Sequence, residues 1–170
     1  MRPSVLREVQ SLPISLPEAW RFFSDPRNLP RITPPSLGLE VTSDPPKEMY
    51  PGMIITYRVR PVPWVSVGWV TEITHVREPT LFVDEQRFGP YRFWHHEHHF
   101  REVEGGVEME DLVHYAVPLG AVGRVFVGPM VRRRLAEIFA FRRRFLAGEF
   151  GSGTSGERGR IDRRIGGTSG

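Results

Sequence analysis

Residues 89–117 read GPYRFWHHEHHFREVEGGVEMEDLVHYAV, and the strand, turn and strand they spell out decide the fold. In an extended chain alternate residues share a face. Trp94, His96, His98 and Phe100 therefore form one row, with His95, Glu97 and His99 on the reverse. Gly105 and Gly106 signal a hairpin, after which Val107, Met109, Val113, Tyr115 and Val117 share a face whose single charge is Asp111. Pairing across the two glycines sets Phe100 opposite Asp111, His98 opposite Val113 and His96 opposite Tyr115. A shift of two sets His98 opposite Asp111. Either register puts two imidazoles and a carboxylate on an apolar face, where polar groups need partners.

The same period of two extends upstream. Met53, Ile55, Tyr57 and Val59 make one apolar face; Val65, Val67, Trp69, Thr71 and Ile73 make the next; residues 82–86 form a shorter strand. Asp84, Gln86 and Thr71 add polar lining if their strands face the same way, although the alternation around Asp84 and Gln86 does not fix this. A first strand is expected over residues 5–14. Ser15-Leu16-Pro17-Glu18 then starts a helix that Asp25-Pro26 stops, and residues 28–33 add a further turn or two before Pro34-Pro35. Trp20, Phe23 and Leu29 are the inward anchors of this pair of short helices.

Past Gly128-Pro129 the period lengthens. Val131, Leu135, Ile138, Phe139 and Leu146 recur at helical spacing, with Arg133, Glu137 and Arg144 opposite. A long helix of this kind must lie on a broad apolar surface, and the sheet's concave face is the candidate. Arg142 falls inside the apolar stripe. It either lays its stem across apolar surface with its head in water, or supplies a counter-charge for Asp111 or an anionic ligand.

Bulk properties exclude several classes. The 170-residue chain suits one domain, at residues 1–150, and lacks cysteine, which removes disulfides, thiolate catalysis and cysteine-based metal sites. No apolar run reaches a membrane span and no secretory leader is seen, so a cytoplasmic protein with no integral membrane segment is expected. Residues 151–170 are rich in glycine and serine; their four arginines against Glu157 and Asp162 supply +2 of the chain's +3 net charge. We read them as a disordered or vector-derived tail. The body is then near neutral, which argues against nucleic acid. No phosphate loop, nucleophile elbow or zinc-protease helix is found.

Three readings of the cluster compete. It is a satisfied structural network, with His98 bonded to Asp111 and His96 to Tyr115 or water. It is the polar end of a ligand cavity. Or it does chemistry: His98 and Asp111 as an acid–base pair, or His96, His98 and Asp111 in imitation of a two-histidine, one-carboxylate metal site. No metal or cofactor is expected. The residues favoured to contact a ligand are Trp69, Thr71, Trp94, His96, His98, Phe100, Asp111, Tyr115, Phe139 and Arg142, with His98 and Asp111 the catalytic candidates. His95 and His99 belong to the solvated face.

The element order, with Leu16-Pro17-Glu18-Ala19-Trp20, Asp25-Pro26 and Asn28-Leu29-Pro30, resembles the START-like superfamily, also called SRPBCC or helix-grip. The residues Phe82, Asp84, Gln86, Gly89-Pro90, Trp94, His96, His98, Phe100 and 111–118 look like a bacterial branch of uncharacterised ligand-binding or cyclase-like proteins. The resemblance covers residues 1 to about 150. It implies an α+β helix-grip fold: a curved antiparallel sheet of about seven strands wrapped around a long C-terminal helix, with two short helices after the first strand. It also implies an internal cavity for a lipid-, polyketide- or aromatic-like molecule, with cyclase or dehydratase activity as an alternative; a partner-binding or chaperone-like module, which should show a large exposed apolar patch, is a third reading that does not come from the resemblance. The superfamily has no shared catalytic set, so none is carried over.

Overall fold

The alternating segments pair as one sheet in the computed structural model, which describes residues 3–62, 64–118 and 120–151. The strands are β1 (Ser4–Leu12), β2 (Glu40–Val41), β3 (Ile54–Val62), β4 (Val65–Arg77), β5 (Leu81–Phe88), β6 (Phe93–Val103) and β7 (Gly106–Ala116). They form an antiparallel sheet in the order β1-β7-β6-β5-β4-β3-β2. Helix α1 (Leu16–Phe23) follows β1, and α2 (Gly120–Phe126) and α3 (Gly128–Gly151) follow β7. The fold is the expected seven-stranded helix-grip arrangement. Apart from Gly151, which ends α3, the expected tail lies outside the described residues.

Local chemistry explains the element ends. Pro13 closes β1 at Leu12, two residues short of the expected end, leaving Ile14 as a buried plug in the turn. Ser15 caps α1 by accepting from the Glu18 amide at 3.4 Å, with proline in the first turn. After Ser24, two short 3₁₀ turns, Pro26–Asn28 and Pro35–Leu37, replace the single helical stretch expected over 28–33. Pro34-Pro35 therefore opens a turn instead of ending helical structure, because proline fits the first position of a turn as well as it breaks an interior. Gly128-Pro129 marks a kink or fresh helix start in the sequence, and α2 does end at Phe126 with α3 starting afresh at Gly128; Val127 N donates to Gly123 O and Val131 N to Val127 O, so the two helices abut across Val127 alone.

The hairpin settles the register. Val103 pairs with Gly106, so Glu104-Gly105 is the turn, His98 faces Asp111, His96 faces Val113 and Phe100 faces Met109. Gly105 takes φ 83° at the turn, a conformation that favours glycine. Gly106 lies against the chain entering α1, where an added Cβ would sit 2.1 Å from the Leu12 carbonyl oxygen. That crowding admits glycine only.

Two apolar clusters flank the histidine row, and a third, of Met53, Ile55, Tyr57 and Ile73, lies on β3 and β4. Of the flanking pair, one gathers Leu12, Trp20, Phe23, Phe82, Phe100, Met109 and Leu146 beneath α1; the other gathers Trp94, Val113, Tyr115, Leu135 and Phe139 beneath α3. Along β6 the order is Trp94, His96, His98, Phe100, so the imidazoles stand between the clusters. Leu29, the third expected anchor, is only partly buried.

Candidate functional site

Between the sheet and α3 lies a cavity of about 210 Å³. Its walls are mostly apolar: Ile55, Tyr57, Val59, Trp69 and Ile73 from β3 and β4, Leu135, Ile138 and Phe139 from α3, and Leu29 and Ile32 from the segment after α1. Trp69 and Trp94 meet edge to face with centroids 5.3 Å apart, and Tyr91 packs on both. The ionisable wall around the histidine row consists of Asp84, His96, His98 and Arg142.

These groups are bound to one another. Asp111 Oδ1 lies 2.8 Å from His96 Nε2 and 3.0 Å from Arg142 Nη1. Asp84 Oδ2 lies 2.9 Å from His98 Nε2 and 3.3 Å from His96 Nδ1, while Trp94 Nε1 donates to Asp84 Oδ1 at 3.3 Å. His98 Nδ1 stands 3.0 Å from Asp111 Oδ1, in ion-pair reach but off the hydrogen-bond direction. Arg142 is buried, with its guanidinium 4.9 Å from the Phe139 ring centroid, so it is a counter-charge to Asp111 and does not reach for solvent.

Charge and burial compete at each member. Burial raises the Asp111 carboxyl, but the Arg142 charge and the two imidazoles outweigh it and hold it well below the usual range. Burial likewise opposes ionisation of Asp84, and His96, His98 and Trp94 overcome it. For His96, burial and the neighbouring His98 depress basicity; for His98, burial is outweighed by Asp111 and Asp84, which favour the imidazolium. The surroundings thus favour the imidazolium at His98 and the neutral ring at His96. Burial pushes the Tyr57 phenol up and the Tyr91 phenol up to about 12, so both remain neutral donors.

Seven of the ten residues expected to contact a ligand line this cavity: Trp69, Thr71, Trp94, His96, His98, Phe139 and Arg142. Three do not. Phe100 packs edge-on against Trp20 and beside Phe23 in the neighbouring cluster. Asp111 stands behind the imidazoles, 1 % exposed, and Tyr115 lines a separate groove with Ser4, Arg92 and Arg132. The partners also differ from those drawn for a structural network, since His96 takes Asp111 and His98 takes Asp84. Gln86 braces the turn after β5, donating to the Tyr91 carbonyl and accepting from its amide. On the outer face His95 bonds Glu85 and Glu97, and His99 bonds Glu97.

Asp84 is the residue whose role the pattern left open. β5 carries buried side chains on both faces, Phe82 and Val83, and its pairing with β4 shifts register twice, at Val70/Thr71 and Ile73/His75. The available signal was its separation of two from Phe82, which predicts a shared face.

A seven-stranded sheet gripping a C-terminal helix around an interior cavity defines the helix-grip class. The chain belongs to the polyketide cyclase/dehydrase and lipid transport family, which matches residues 12–140. Solved structures agree on the fold. Protein Ms6760 from Mycobacterium smegmatis shares 20 % identity over 87 % of this chain and 91 % of its own, with a TM-score of 0.63. TTHA0849 from Thermus thermophilus shares 14 % over 86 % and 99 %, with a TM-score of 0.63. The ginseng major latex-like protein 151 from Panax ginseng shares 10 % over 88 % and 99 %, with a TM-score of 0.64. No curated protein matches the sequence. Among the described residues no helix is long and apolar enough to cross a membrane.

Proposed function

We propose that this protein binds a small, largely apolar molecule carrying one polar group, seated between the sheet and α3 with its polar end toward Asp84, His96 and His98. The observation that carries this reading is the composition of the cavity wall: mostly aromatic and aliphatic side chains, with Asp84, His96, His98 and Arg142 gathered on one part of it and Asp25 and Arg134 the other charged side chains of the lining. Trp69 adds support. Its indole N–H is buried without a hydrogen-bond partner among the described residues, and its ring lines the cavity, so a ligand oxygen has a donor ready to meet it. Membership of a family named for cyclases, dehydrases and lipid transport fits a lipid-, polyketide- or aromatic-like molecule.

A second reading, cyclase- or dehydratase-type chemistry on the bound molecule, is favoured by one feature. His98 lines the cavity with a carboxylate near each ring nitrogen, an arrangement that orients an imidazole for proton transfer.

Native mass spectrometry of untagged protein tests the binding reading. A carried molecule that organic extraction removes is the expected result. After extraction, a long-chain fatty acid or a planar polycyclic phenol should alter Trp69 and Trp94 fluorescence on rebinding. Extracted protein that takes up neither, and carried nothing before extraction, would refute the proposal.

A further inference from the structure

Each imidazole of the cluster has two nitrogens, and all four lie within 3.3 Å of a carboxylate oxygen. His96 Nε2 and His98 Nδ1 face one Asp111 oxygen at 2.8 and 3.0 Å. His96 Nδ1 and His98 Nε2 face one Asp84 oxygen at 3.3 and 2.9 Å. Two of these contacts are hydrogen bonds, His96 Nε2 to Asp111 and His98 Nε2 to Asp84, and a single N–H on each ring supplies both. The rings lie with centroids 3.8 Å apart inside the protein, where two like charges repel strongly. With hydrogen alone, then, His98 Nδ1 is left buried without a hydrogen-bond partner.

The two carboxylates differ in position. Asp111 lies behind the rings, held by Arg142, and does not line the cavity. Asp84, His96 and His98 do line it, and one ligand atom from each lies within 4.8 Å of the others. Around an ion with bonds near 2.0–2.1 Å, neighbouring donor atoms stand about 3.0–3.4 Å apart. Of the two edges from Asp84, 3.3 Å falls at that spacing and 2.9 Å lies just short of it. Trp94 takes the other Asp84 oxygen, leaving Oδ2 for the nitrogens.

We infer that Asp84, His96 and His98 form a binding site for a divalent transition-metal ion at the polar end of the cavity, with Asp111 as the carboxylate behind both imidazoles. With the ion in place both rings are neutral, each giving its one N–H toward Asp111 and its lone pair to the metal. A carboxylate on the far nitrogen is the usual support for a ligating histidine, and two nitrogens with one oxygen suit zinc-type ions. No metal is expected from the sequence, and the carboxylate weighed there was Asp111, not Asp84. The site does not depend on an apolar ligand, since an ion and its waters need the polar end alone.

Cobalt(II) titration of chelator-stripped, untagged protein gives the test, followed by visible d–d absorption and by equilibrium dialysis with zinc. One tightly held equivalent is expected. Asp84→Asn and His96→Gln should each weaken binding at least 100-fold, and Asp111→Asn about 10- to 100-fold. The double variant His95→Ala/His99→Ala, which alters only the outer face, should retain the full band. Folding of each variant is checked by circular dichroism; should the inner variants unfold, wild-type protein alone decides through the stoichiometric band and a zinc-dependent rise in melting temperature. Wild-type protein that shows neither, or a band lost with the outer histidines and kept in the inner variants, overturns the inference.

Discussion

Asp111 is the residue on which the interior depends most. It is 1 % exposed and accepts from both Arg142 and His96. Removing one partner of a buried pair leaves the other charge without compensation, so Asp111→Ala should cost about 3–5 kcal/mol in urea denaturation. Glu110, its neighbour in sequence, pairs with an exposed Arg7 on the other face, and Glu110→Ala should cost under about 1 kcal/mol. The contrast tests whether the row between the two apolar clusters is held by charge. The presence of two histidines and a carboxylate on one face was legible from alternation alone. Their pairing was not, because the glycine pair admits two turns, and the choice between them lies in the contact of Gly106 with the Leu12 carbonyl, which a strand pattern does not contain.

At the scale of elements, two turns carry specific expectations. Gly106→Ala pushes a methyl group into the chain leaving β1, so it should destabilise by more than about 1 kcal/mol, roughly a 2–4 °C fall in melting temperature per kcal/mol. Asp25 caps the first 3₁₀ turn and holds Arg27, and the Arg27 hydrogen bonds keep its carboxyl below the ordinary value of 3.8. A carboxyl lowered in the folded state stabilises above its unfolded value. The contribution declines as the pH falls below about 3.8 and is gone once the pH passes the lowered folded value. Asp25→Asn, which keeps the cap and removes the charge, should therefore cost up to about 1 kcal/mol at pH 7, with the difference closing at strongly acidic pH, as urea titrations at the two pH values would show. Strand faces and the apolar stripe of α3 were readable because their periods are strict. The segment from Pro26 to Leu37 was not, since tight 3₁₀ turns have no apolar period, yet Leu29, Ile32 and Leu37 from it line the cavity.

For the whole molecule, the cavity separates stability from binding. Val59 is buried on β3 and lines the open space, so Val59→Phe should fill part of that space at little cost to folding. Its melting temperature should stay within a few degrees of wild type while uptake of an apolar probe, read by native mass spectrometry, is lost. A bound molecule should in turn raise the melting temperature with the logarithm of its concentration.

The sheet order adds a consequence in time. From β4 to β7 each strand pairs with the one before it, through hairpins that close over a few residues, whereas β1 pairs with β7 from Ser4↔Tyr115 to Leu12↔Val107. Closing so long a loop costs chain entropy before any contact repays it. β1 is thus joined to the sheet only after β7 exists, so a nascent protein carries it unpaired until β7 has been synthesised.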